Sequence, residues 1–243
     1  MKTPAISLRA ALLASALALA ACQPATDPAQ VEATRAQAAE AAADAMAEQF
    51  ETAYAEKNWE MARAHGDVLL AEHPGSAAAD RIRERHQEAT TEANQAREDR
   101  RLQSLWTYQT QPVDGGEQRS AAVYAKDRVD VDGSGARTVR LIFRDHPDWG
   151  RSSYLVLETG DFDCYGGCRV QVTVDDAEPR AMAASRPKTD EAIAMFIEDE
   201  AALWRIANDA RTVAVEFPVK AGGTRTALFE VGGLDPMRMP GWE

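Results

Sequence analysis

The residues best suited to chemistry stand together at 144–150, in the run Arg144-Asp145-His146-Pro147-Asp148-Trp149-Gly150. An imidazole with carboxylates one place before it and two places after has the ingredients of a general base. Trp149 adds an aromatic surface on which a ligand could lie. Ser152 and Ser153 follow closely, but the Gly-x-Ser-x-Gly turn that presents a nucleophilic serine is absent. Pro147 and Gly150 also suit a plain turn between two strands. Asp145, His146, Asp148 and Trp149 are therefore candidate binding residues, and no residue is assigned a catalytic role.

Other groupings are weaker. Asp127, Asp130 and Asp132 with Gly133 suggest a calcium loop, but the EF-type frame around Gly133 puts Arg128 at the first ligand position and Val139 at the twelfth. A polar hairpin turn accounts for the same residues. His65, His73 and His86 lack His-Glu-x-x-His spacing, and no Gly-Lys-Ser/Thr loop is present to cradle a phosphate. Cys164 and Cys168 enclose Tyr-Gly-Gly, and the glycines allow a tight closing turn. The pair reads as a disulfide across that turn. A redox dithiol would show Cys-x-x-Cys, and a metal site would need two further ligands nearby. No cofactor or metal is expected.

The elements that carry these residues follow from composition. Lys2 and Arg9 precede a short apolar, alanine-rich run to Ala21, too short for the ~20 residues that cross a bilayer. The run ends in Leu19-Ala20-Ala21-Cys22, which resembles the lipobox of bacterial lipoproteins. The resemblance implies removal of residues 1–21, a diacylglycerol thioether on Cys22 and acylation of the new amino terminus. Gln23 stands where aspartate favours inner-membrane retention in that family, which leans the expectation towards the periplasmic face of the outer membrane. A cleaved secretory signal with an incidental cysteine is the alternative. Losing Lys2 and Arg9 takes the formal net charge from −12 to −14 over the remaining chain. Such acidity disfavours nucleic acid as a partner. The expected partners are the membrane, through the anchor, and an envelope protein.

Residues 22–30, with Pro24 and Pro28, read as a tether. Residues 31–103 read as a helical arm rich in alanine, glutamate, arginine and glutamine, broken at His73-Pro74-Gly75-Ser76 and more softly at Lys57-Asn58. The stretch from about 45 to 77 resembles a tetratricopeptide unit: Trp59, Ala62 and Pro74 match its spacing. Ala53 replaces the preferred tyrosine, with Tyr54 one place along, and Gly66 stands where a large apolar residue is usual. An ordinary helical hairpin fits as well. The third helix, about 77 to 103, reads as a mostly solvated, ion-paired face.

From residue 104 the pattern alternates. Strands are expected around 105–108, 122–124, 138–143, 153–157, 169–174, 192–197, 213–217 and 227–231, with one amphipathic helix at 200–210. The fold class is α+β: a helical arm, then an antiparallel β-sandwich or partly open barrel over 104–235, then a tail at 236–243. An opening aromatic strand, Phe162-x-Cys164, Phe196-Ile197 and the closing Phe229-Glu230-Val231-x-Gly233-Leu234 resemble periplasmic accessory proteins of type VI secretion. That resemblance implies an envelope accessory role and supplies no catalytic residue. The expected function is a lipid-anchored, non-catalytic interaction or assembly module. The alternative is a periplasmic hydrolase using His146 with a neighbouring acid.

Overall fold

Asp27 opens the first helix. Its carboxylate accepts a hydrogen bond from Ala29 N at 3.0 Å, and Pro28 occupies the first turn, where a missing N–H costs nothing. Helix α1 (Pro28–Ala55) therefore begins inside the segment expected as tether. The computed structural model describes residues 27–189 and 192–242. The leader, the lipobox, Cys22 and the start of the tether lie outside the described residues. Among the described residues, no helix is long and apolar enough to cross a membrane.

Helix α1 ends with Lys57 in the left-handed region, at φ 56°. Asn58 N bonds to Ala53 O and Lys57 N to Tyr54 O, the paired closure that usually places glycine at this position. Helix α2 (Trp59–Glu72) follows at once, its Met61 N donating to Asn58 Oδ1 at 3.4 Å. The Pro74-Gly75 break then leads to Ser76, whose Oγ accepts from Ala79 N at 3.0 Å and caps α3 (Ala77–Ser104). The chain divides into two compact units between Thr90 and Thr91. The division lies inside α3, upstream of the change in residue pattern near 104.

In the helical unit, Phe50, Leu69 and Ile82 are fully buried among alanines from all three helices. Small residues let the helices approach closely. A Cβ at Gly66 would meet His86 Cδ2 at 2.3 Å, which explains why a large apolar residue is absent there. His86 Nε2 in turn lies 2.8 Å from Asp67 Oδ1. The polar third helix is mostly exposed and ion-paired, and some of its charges reach α1. Arg81 bonds Asp44 at 3.1 Å, Arg85 pairs with Glu51, and Tyr54 donates to Glu88.

The second unit is one open, wholly antiparallel sheet. In chain order its strands are β1 (Trp106–Val113), β2 (Gly116–Tyr124), β3 (Val139–His146), β4 (Gly150–Leu157), β5 (Cys168–Val174), β6 (Arg180–Ser185), β7 (Ala194–Ile197), β8 (Thr212–Pro218) and β9 (Thr224–Glu230). Spatial order is β1-β2-β3-β4-β7-β6-β5-β8-β9. The sheet is not closed into a barrel, although Lys126 N, just past β2, donates to Leu228 O of β9 at 2.7 Å. Helix α4 (Glu200–Asp209), capped by Asp199, lays Leu203, Trp204 and Ala207 into the core.

The residues after β9 are not a loose tail. Met239 and Trp242 are buried in the same core, and Asp235 N donates to Tyr108 Oη at 2.7 Å. Gly232-Gly233 packs on the end of α3, where a Cβ at Gly233 would stand 2.2 Å from Gln103 N. Arg101 and Lys126 both approach Glu230, at 2.8 and 3.6 Å.

Two outcomes follow for stability. Lys57→Gly relieves the left-handed strain and raises the stability of the helical unit by about 0.5–1 kcal/mol, read from urea midpoints. The Glu230 carboxyl is held below its ordinary value of 4.5, first by the Arg101 hydrogen bond and then by the charges of Arg101 and Lys126. A carboxyl lowered on folding stabilises above the unfolded value and loses that contribution as pH falls through the folded one. Glu230→Gln therefore lowers stability near pH ~7 and narrows the loss on acidification to about pH 3, compared by urea denaturation at both.

Candidate functional site

Strands β3 and β4 form a hairpin in which His146 pairs with Gly150, Asp145 with Arg151 and Arg144 with Ser152. Three residues, Pro147, Asp148 and Trp149, make the loop, and Gly150 closes it at φ 68°. Side chains alternate along β3. Val139, Leu141 and Phe143 enter the core, so Arg140, Ile142, Arg144 and His146 stand on the opposite face.

That alternation separates the groups expected to act together. Asp145 belongs to the other face from His146. Asp148 meets the imidazole only through its backbone: its N–H donates to His146 Nδ1 at 3.1 Å. The Asp148 carboxylate lies instead by the β1–β2 turn, where a Cβ at Gly115 would come within 2.9 Å of Oδ1. Ser153 Oγ donates to Ile197 O at 3.2 Å on the core side, and the buried Ser152 Oγ has no hydrogen-bond partner.

Trp149 covers the imidazole. The two rings stack at 3.9 Å between centroids, inclined by 14°. His146 is thereby 6% exposed, whereas Trp149 itself is 68% exposed. The Arg144 guanidinium stands 5.3 Å from the centroids of both Trp149 and Tyr154, a cation held between two aromatic faces. Tyr154 leans on Phe196 of β7 at 5.2 Å, and Arg140 lies 5.6 Å from the Tyr124 ring. The face is thus a row of alternating aromatics and arginines across β2, β3, β4 and β7. Arg144, Tyr154 and Phe196 were not among the candidate binding residues, although strand parity places Arg144 beside His146.

Chemically, this surface can stack and hold a cation–π network. An imidazole with one ring nitrogen engaged by a backbone N–H and one ring face under an indole is poorly placed to take a proton from a substrate.

The other expected groups are turn and staple residues. Asp130 Oδ1 accepts from Gly133 N at 2.7 Å and Asp132 Oδ1 from Ser134 N at 2.9 Å, so these carboxylates organise their own turn. Among the described residues no group of three or more histidines, cysteines or acids is arranged to hold a metal ion. Cys164 and Cys168 form a disulfide with their Cα atoms 5.0 Å apart. Beside it, the Arg186 guanidinium lies 5.4 Å from the Tyr165 ring and 3.4 Å from the buried Asp161. Asp161 also meets Lys220 at 3.3 Å and accepts from Ala192 N at 3.2 Å. Three connections of the β-unit are pinned at this one carboxylate.

Comparison with protein-family models, with curated proteins and with solved structures finds no match for this chain.

Trp149→Ala uncovers the imidazole and removes one face of the Arg144 sandwich. The expected outcome is a fold of unchanged circular dichroism, a stability loss of about 0.5–1.5 kcal/mol, and a displaced His146 ring signal in NMR spectra. Coincident ring signals in the two proteins would show that the stack is absent in solution.

Proposed function

We propose that the chain is a lipid-anchored, non-catalytic interaction module of a bacterial cell envelope. The observation that carries the reading is the His146–Trp149 stack: the histidine most suited to proton transfer is covered, and the ring covering it is the most exposed tryptophan of the β-unit. An exposed aromatic beside an arginine suits contact with a partner, since such side chains supply large contact area at little entropic cost. The Leu19-Ala20-Ala21-Cys22 run supports the anchor, and the acidic remainder supports a protein partner over nucleic acid. The hydrolase alternative lacks a supporting contact, because among the described residues the imidazole bonds to neither a carboxylate nor a hydroxyl. An accessory place in a secretion or envelope assembly is the specific form of this reading suggested by the sequence resemblance.

Mass spectrometry of the processed amino terminus tests the anchor. The expected first residue is Cys22 carrying diacylglycerol and an amide-linked acyl chain, with Cys22→Ala released from washed membranes. An unmodified Cys22, or cleavage elsewhere, sinks the reading. For the module, a photoreactive amino acid at position 149 should yield a discrete cross-linked product in living cells. The same probe at the exposed Thr226 on β9 should not.

A further inference from the structure

A second feature of the β-unit lies apart from the aromatic–arginine face. One face of α4 and the C-terminal segment enclose a cleft of about 430 Å³, walled by Trp204, Met237, Met239, Pro240 and Trp242, with Arg205 on its helical side. That volume falls within the range of small-molecule sites, and the lining is apolar with few polar groups, as such sites are.

Three observations indicate what would fill it. Trp242 is 3% exposed, and its indole N–H has no hydrogen-bond partner. An orphaned buried donor is costly, and an acceptor brought in by a ligand would recover much of that cost. Met237 is 86% exposed, a large apolar side chain that the packing of the fold does not employ. Methionine is adaptable enough to wrap an alkyl chain. Arg205 has no ion-pair partner among the described residues. The one acid of the lining, Asp209, has Oδ1 engaged by Asn208 Nδ2 at 3.1 Å. Apolar walls, an orphaned N–H and a free cation together ask for an apolar chain that ends in an anionic acceptor.

We infer that this cleft binds a single-chain alkyl carboxylate, its tail against Met237, Met239 and Pro240 and its carboxylate taken by Arg205 and the Trp242 N–H. Cleft filling and the anchor reading are independent: the site is internal to the β-unit and needs no lipid on Cys22.

The test is calorimetric titration of the full chain carrying Cys22→Ala, so that no covalent acyl group competes, with decanoate and with decanol below their aggregation concentrations. Decanoate should saturate one site per chain and shift tryptophan emission. Decanol should bind roughly tenfold more weakly, for want of the charge. Arg205→Gln should bring the two ligands to parity. Trp242→Phe, which keeps an aromatic ring in the core and loses the N–H, should weaken decanoate about tenfold. Met237→Asp, at an exposed position that cannot unfold the domain, should weaken decanoate at least as much. Absence of saturable binding to the parent protein, or decanoate affinity unchanged by both Arg205→Gln and Met237→Asp, overturns the assignment.

Discussion

Phe143 stands where the separate parts of the β-unit meet. Its ring lies 6.3 Å from Trp106 of β1, 5.1 Å from Trp204 of α4 and 5.5 Å from Trp242 near the C-terminus. An open antiparallel sheet has one apolar face that must be covered, and it cannot cover that face by closing on itself. Here α4 and the C-terminal segment serve as the cover, and the aromatic cluster joins them to the sheet. Aromatic side chains of this size bury more apolar area than any others, and edge-to-face packing adds ~0.5–1.5 kcal/mol per pair. The strand that enters the core through Phe143 displays Arg144 and His146 on its other face, beside the hairpin loop bearing Trp149.

The helical unit is built on the opposite material. Its core is mostly alanine, with Phe50, Leu69 and Ile82 as the large residues. Alanine favours helix yet buries little area, so close helix approach and charge pairing matter more. Gly66 under His86 provides the first, and Arg81–Asp44 and Arg85–Glu51 the second. Such pairs are partly exposed and individually contribute little. They nonetheless fix which face of α3 turns towards α1, a choice the thin apolar stripe leaves ambiguous.

Much of this architecture was legible in the residues. Pro74-Gly75-Ser76 ends one helix and caps the next through ordinary local chemistry, and the glycine pairs at 115–116, 166–167 and 222–223 all sit at strand turns with positive φ. Strand β6 was missed. Its residues, Arg-Ala-Met-Ala-Ala-Ser, carry no β-branched side chain, and only pairing with β5 and β7 makes it a strand. The candidate site was half legible. The cluster at 144–150 was visible as a group of types, but which members face one another depends on strand parity and on a tryptophan folding back over a histidine. The cleft was out of reach: the amphipathic pattern at 200–210 places Trp204 on a helix face, but nothing in the residues brings Trp242, far along the chain, against it.

The open sheet has two edges, β1 and β9, and each is interrupted at one point. Pro112 removes an amide from β1. At the other end, the carbonyl of Leu228 in β9 is already taken by Lys126. A visiting chain would therefore meet one missing amide on β1 and one occupied carbonyl on β9. A strand added along either margin would have to forgo a main-chain bond at that point, which weakens pairing there relative to an uninterrupted ladder.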